Sequence, residues 1–187
     1  AAYGTLKPKD VRVPGVIVDR VVRASPENHK QGYMVDYEPG LSGEVRVPLS
    51  SLGALPLDDR KICSRRAAME LVRDGTVNLG VGFPEGVAAV AAEEGVSDQI
   101  ILVVESGTYA GVPSGGLLFG SCLSPDAIIE HNYQLDYFDG GGLDLGYLGL
   151  AEADQYGNLN VSKFGGRVVG PGGFINISQN ARRMVFC

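Results

Sequence analysis

The apolar positions of this chain fall into two regimes. Residues 100–104 form an unbroken apolar run, Ile-Ile-Leu-Val-Val, of the kind a fully buried parallel strand requires, and it closes on Glu105-Ser106-Gly107. This run predicts the central strand of a sheet. Upstream, Asp58 and Asp59 followed by Arg65, Arg66 and Arg73 match the polarity of a helix dipole. Ile62, Met69 and Val72 share one face, so the spacing predicts a helix over 58–73, stopped at Gly75. Val77-Asn78-Leu79 reads as a short strand, 80–86 as a tight Gly loop, and 87–94 as a small-residue helix ended by Gly95. Strand, loop, helix and strand make a βαβ unit, whose crossover is right-handed.

Downstream, Ser124-Pro125-Asp126 has the chemistry of a helix start and predicts a helix over 127–132. Residues 138–142 read as a loop. Residues 148–153 and 159–164 read as a hairpin turning at 155–158. Gly165-Gly166 and residues 170–173 read as further loops, and 184–187 as a strand in which the chain stops. Residues 11–22 are strand-like, but Pro14-Gly15 restricts them to an edge or a bend. The first 57 residues are rich in turn residues and charge, and are expected to lie across another surface. The fold class expected is α/β, an open, mainly parallel sheet flanked by helices.

Composition narrows the function classes. The chain has 187 residues, 44% of them hydrophobic and 20% charged, which suits one globular domain. A net charge of −6 argues against a general nucleic-acid surface and against a basic membrane patch. No apolar run approaches the length of a membrane span, and the N-terminal residues lack a signal-peptide apolar region. Three cysteines, Cys63, Cys122 and Cys187, are odd in number and lack metal-ligand spacing. Reduced thiols and a cytoplasmic location follow as expectations. The two histidines, His29 and His131, are far apart in sequence, and no local pattern makes either catalytic.

Glu105 is the first candidate for chemistry. It places an ionisable group where a buried strand gives way to a loop, the edge at which open α/β sheets bind ligands. A carboxylate merely turned to solvent fits the same pattern. The Gly80-Val81-Gly82 loop is not a P-loop, since no Gly-Lys-Ser/Thr follows. Its next Gly comes one residue too late for the dinucleotide fingerprint. It still lets a ligand approach the backbone, and the following helix start offers N–H groups to an anion. A turn that needs Gly for its geometry alone is the simpler reading.

Taken together, the motifs resemble those of the family I CoA-transferases, in the branch acting on acetate, propionate and similar short acids. The matching stretches are VPGVIVDRVV, RRAAMELVRDGTVNLGVGFPEGVA, VVESGTYAGVPSGG, FDGGGLDLGYLGLAEADQYGNLNVSKFGG and GPGGFINISQNA. The resemblance implies a chain of two similar α/β domains with the active site between them. This sequence would then be a connector from an absent first domain (1–57) and a β-type second domain (58–187) truncated at its C-terminus. Glu105 would be the nucleophile that forms a glutamyl-CoA thioester. Gly80, Val81, Gly82, Gly172 and Gly173 would lie at the CoA site, with Asn158 and Asn160 behind the glutamate. No bound cofactor or metal is implied, coenzyme A and acyl-CoA being substrates. The partners implied are short carboxylic acids, the missing N-terminal domain and further copies of the chain in a homo-oligomer. Neither nucleic acid nor membrane is among them. Two other readings stand beside this one. One is a nucleotide-dependent oxidoreductase or sugar-phosphate enzyme on a similar sheet, disfavoured by the missing Gly fingerprints. The other is a non-catalytic CoA- or nucleotide-binding or assembly module on the same fold.

Overall fold

A computed structural model describes residues 4–48 and 53–187. Parts of the expected connector, 1–3 and 49–52, lie outside the described residues. The central sheet is built from β1 (Thr76–Leu79), β2 (Ile101–Val104), β3 (Thr108–Tyr109), β6 (Ala127–Ile128), β7 (Leu145–Leu148) and β12 (Arg183–Phe186). Its order is β12-β7-β1-β2-β3-β6. The first four are mutually parallel, whereas β3 pairs antiparallel with both β2 and β6. Two-stranded antiparallel ribbons join β4 (Val112–Pro113) to β5 (Cys122–Leu123), β8 (Glu152–Ala153) to β9 (Leu159–Asn160), and β10 (Lys163–Phe164) to β11 (Arg167–Val168). The sheet is thus mainly parallel and flanked by helices, the α/β class expected.

Strand parity divides the core into two layers. Val77, Leu79, Leu102, Leu145 and Tyr147 meet α1 (Asp59–Ala68) and α2 (Glu85–Glu93) through Ala67, Val87, Ala88 and Ala91. Val103 and Leu148 meet α3 (His131–Asp139) and α4 (Phe174–Asn180) on the other face, through Phe138 and Ile177. Val77 stands opposite Leu102, and Asn78 opposite Val103. Side chains alternate between faces along a strand. Glu105, two residues beyond Val103, therefore emerges on the side covered by α3 and α4.

The βαβ unit forms as its sequence predicts, but α1 differs from expectation. It ends at Ala68 rather than near 73, and Ile62, Met69 and Val72 are exposed. The buried positions are Ser64 and Ala67, because α1 lies close against α2. A Cβ on Gly86 would stand 2.2 Å from Ser64 Oγ, so this crossing admits only small side chains. The Tyr147 hydroxyl donates to the Ala67 carbonyl at 3.0 Å. Asp58 caps the helix start, accepting from the Lys61 N–H at 2.9 Å. β2 is interior, but Ile101 is 45% exposed, between buried Ile100 and Leu102, so the run is not buried throughout.

Three further expectations are corrected. Ser124-Pro125-Asp126 does not start a helix: Ser124 adopts φ +56°, its Oγ accepts from the Val47 N–H at 2.7 Å, and the chain continues into β6. The helix comes later, and its Phe138, expected in a loop, is fully buried. Residues 11–22 form no strand; they run as irregular chain with a short 3-10 turn at Gly15–Ile17, Val16 and Val22 fully open to solvent. The N-terminal segment meets the rest of the chain mainly at 40–47, while residues 4–31 are exposed. Arg46 pairs with Asp126 at 2.7 Å, Arg12 with Glu130 at 3.5 Å, and Leu41 is buried. The hairpin expected at 155–158 is present, shortened to β8 and β9, while Leu148 belongs to the sheet.

Candidate active site

Glu105 occupies the three-residue turn between β2 and β3, in which Val104 pairs with Thr108. The turn depends on Gly107. Its φ is +116°, and a Cβ there would stand 2.2 Å from the Ile129 carbonyl oxygen. The Gly107 N–H donates to the Val104 carbonyl at 3.0 Å, and its own carbonyl accepts from the Ile129 N–H at 2.8 Å. The Ser106 hydroxyl donates to the Gly120 carbonyl. The Glu-Ser-Gly sequence thus has a physical reading. Gly lets the turn close, Ser ties it to the neighbouring loop, and Glu is left facing the helices.

Two cavities are lined in part by Glu105. One, of 400 Å³, is bordered by Gly80, Val81, Leu148, Phe164, Gly173 and Phe174, among others. The second, of 450 Å³, is bordered by Ser106, Phe119, Gly120, His131, Leu135, Gly172 and Gly173. Gly172-Gly173 and Phe119 border both. The backbone of Gly173 approaches so closely that a Cβ would lie 3.1 Å from the Glu105 carboxyl carbon. Burial pushes the Glu105 carboxyl above its ordinary range. Charge on His131 and a backbone hydrogen bond pull it back in part. Sequence reasoning gave His131 no part in the site; the only local signal was its position just ahead of a helical apolar face, and that helix was misplaced.

The other predicted residues divide. Gly80 and Val81 reach the cavity at Glu105, while Gly82 borders a separate cavity with Phe83, Glu85 and Arg60. The Gly80 N–H donates to the Tyr147 carbonyl at 2.8 Å, tethering the loop to β7. Glu85, unremarked in the sequence, accepts from Gly82 N–H at 2.9 Å and from Gly116 N–H at 3.3 Å. Asn158 and Asn160 border neither cavity at Glu105. Asn158 Nδ2 donates to Asp154 at 2.7 Å, inside the turn between β8 and β9. Asn160 Nδ2 donates to Glu152 at 2.5 Å and to the Lys163 carbonyl at 2.8 Å. Both side chains hold ribbons together. Among the described residues, no group of three or more His, Cys, Asp and Glu is placed to hold a metal ion, and no helix is long and apolar enough to cross a membrane.

A half-buried carboxylate thus stands at the end of a parallel strand, lining two cavities, with the Gly173 backbone close to it. No family model matches the chain. The caffeate CoA-transferase of Acetobacterium woodii is 48% identical over 192 residues, covering 100% of this chain and 37% of that protein. The acetate CoA-transferase YdiF of Escherichia coli K12 is 42% identical over 183 residues, covering 98% of this chain and 34% of that protein. Among solved structures, the apoenzyme of acyl-CoA transferase YdiF from Escherichia coli O157:H7 superposes with a TM-score of 0.83 at 40% identity, over 99% of this chain and 34% of that one. The same protein has been solved as a thioester complex with CoA, and matches with a TM-score of 0.82. In sequence and fold, the chain resembles one part of these CoA-transferases. It spans about a third of the length of the curated relatives it matches.

Proposed function

We propose that this chain carries the catalytic glutamate of an enzyme that moves CoA between an acyl-CoA and a free, short carboxylic acid. The observation that carries the reading is Glu105 itself, half-buried at a strand end, opening on two cavities, with the Gly173 backbone against its carboxyl. A Glu105 carboxylate oxygen attacks the thioester carbonyl and expels CoA thiolate, forming a mixed anhydride. The thiolate then attacks the glutamyl carbonyl and releases the acid as its carboxylate, leaving a glutamyl-CoA thioester. An acceptor carboxylate attacks that thioester, re-forming an anhydride and thiolate. Thiolate attack on the acyl carbonyl yields the new acyl-CoA and restores the Glu105 carboxylate. Covalent catalysis splits one hard transfer into easier ones.

Each addition places negative charge on an oxygen, and a preorganised donor is worth about 3 kcal/mol there. Gly173 is assigned that role, since its backbone approaches the carboxyl, with Gly172 beside it on the same cavity wall. Gly80 and Val81 are assigned to CoA, because their loop borders the cavity walled by Leu148, Phe164 and Phe174. Gly82 would contact CoA from the adjoining cavity. Asn158 and Asn160 would act indirectly, by shaping the ribbons beside that wall. A preceding domain, reached through residues 1–57, would close the site against water, as would pairing of copies in a homo-oligomer.

Mass spectrometry after incubation with acetyl-CoA tests the reading. A CoA adduct on Glu105, lost with hydroxylamine and not formed by Glu105→Gln, is expected, with and without the partner domain compared. Stable CoA binding with no adduct in the complete protein would favour a non-catalytic binding module instead.

A further inference from the structure

The two cavities beside Glu105 differ in chemistry, and the proposed reaction needs two compartments. When thiolate adds to the glutamyl carbonyl and carboxylate leaves, both groups are attached to one tetrahedral carbon and must depart in different directions. The reverse step brings the free acid in along the path by which it left. One cavity contains the Gly80-Val81 loop and the apolar wall from Leu148, Phe164 and Phe174. The other contains His131, with Phe119 and Leu135 beside it. Apart from Glu105, His131 is the ionisable side chain on that second cavity, so an anion entering there has one side chain to meet.

We propose that His131 receives the carboxylate of the free acid in this second cavity and holds it beside the carbonyl carbon of Glu105, while the acid's chain rests against Phe119 and Leu135. The assignment rests on the transfer reaction proposed above.

Three features support it. His131 is the first residue of α3, and Leu135 lies one turn further along the same helix, so the two border the cavity from one rigid element. His131 acts electrostatically on the Glu105 carboxyl, so its charge is close enough to be felt at the reacting group. Its side chain is exposed rather than packed into the core, which leaves the imidazole open to a ligand. Apart from Glu105 and Ser106, whose hydroxyl is engaged by the Gly120 carbonyl, the lining around His131 is apolar or glycine, so the cavity suits a monocarboxylate. A second carboxylate on the acid's chain would meet Phe119 and Leu135 unpaired.

The test is steady-state transfer in the complete two-domain enzyme, with propionate varied at saturating acetyl-CoA. His131→Gln is expected to raise the KM for propionate at least tenfold, a larger factor than any fall in kcat. His131→Lys, which again offers an N–H donor to a carboxylate, is expected to recover most of that loss. Succinate is expected to remain a poor acceptor with every variant. Glu105→Gln runs in parallel: if it too transfers CoA, the transfer reading itself has failed. If Glu105→Gln is inactive while His131→Gln keeps the native KM, or if His131→Lys is no better than His131→Gln, the transfer reading stands and the role of His131 is overturned.

Discussion

A Cβ placed on Gly173 would stand 3.1 Å from the carboxyl carbon of Glu105 and 3.3 Å from its Oε1. Gly173 itself has φ −75° and ψ 0°, a conformation open to any residue. Backbone freedom therefore does not explain glycine here; the approach to Glu105 does. Gly173→Ala is expected to leave the melting midpoint nearly unchanged and to lower kcat about 10- to 100-fold, as small displacements of reacting groups do. Gly172→Ala is the contrast. Its φ of +55° costs about 1 kcal/mol when a Cβ is added, but that Cβ would meet nothing within 4 Å. Urea denaturation and kinetics on the two variants separate the effects.

Glu105→Gln is expected to abolish transfer, by about 10⁴-fold or more, since an amide keeps the shape and removes the nucleophile. The same change bears on stability. Burial raises the Glu105 pKa, so protonation is favoured in the folded state. Such a group contributes stability that is complete below its unfolded value, near 4.5, and is lost as pH rises through the raised value. At neutral pH the ionised carboxylate is thus a cost, and Glu105→Gln is expected to melt at or above the native midpoint at pH 7. The gap closes as pH falls below about 4.5. Melting curves of both proteins from pH 4 to 8 check the sign, and a native protein that gains on the variant as pH rises would contradict it.

Gly107 is constrained more severely than Gly173. Its φ of +116° is a region that other residues avoid, and a Cβ would be driven to 2.2 Å from the Ile129 carbonyl oxygen. Backbone cannot yield as a flexible side chain can. Gly107→Ala is expected to cost about 3 kcal/mol, combining strain and overpacking. It should also displace Glu105, so that acyl-CoA labelling falls even in the fraction that remains folded. Denaturation followed by labelling at low denaturant measures both.

Those three positions also show what could be read in the sequence. The run 100–104 and the Gly loop after β1 announced the βαβ unit, because burial and turn chemistry act locally there. Glu105 was legible for the same reason, as a charge at the end of a buried run. The α1 face was not, because its partner α2 offers a surface of small residues and Gly86, so Ser64 and Ala67 pack inward and Ile62 stays out. Ser124 looked like a cap but is captured by Val47, 77 residues away in the chain, a contact no local pattern encodes. β7 was obscured in the same way: Leu145-Gly146-Tyr147-Leu148 is wholly buried, but Gly146 is there because a Cβ would meet Met184 Sδ at 2.6 Å. His131 joined the site only through the fold of α3. Asn158 and Asn160, read from their motif, turned out to bind Asp154 and Glu152 within their own ribbons.

Glu85 offers a way to test the assignment of the Gly loop independently of Glu105. Its carboxylate accepts from Gly82 N–H at 2.9 Å and from Gly116 N–H at 3.3 Å, so one side chain ties two glycine loops to each other. Gly115 packs against it: a Cβ there would stand 2.5 Å from Glu85 Oε2. Removing the carboxylate leaves two N–H donors without this partner and loosens the Gly82 end of the Gly80-Val81-Gly82 loop. Hydrogen bonds to a charged group contribute about 1.5–3 kcal/mol, less where water can replace the acceptor, so Glu85→Ala is expected to cost about 1–2 kcal/mol of stability. If the loop holds CoA, the KM for acyl-CoA should rise about tenfold while the KM for the acid changes little, because the acid's cavity is bordered by other residues. Glu85→Gln, which retains one acceptor oxygen, should fall between the two. Initial rates with each substrate varied in turn decide the matter. An acid KM that rises as much as the acyl-CoA KM would mean that the loop serves both substrates.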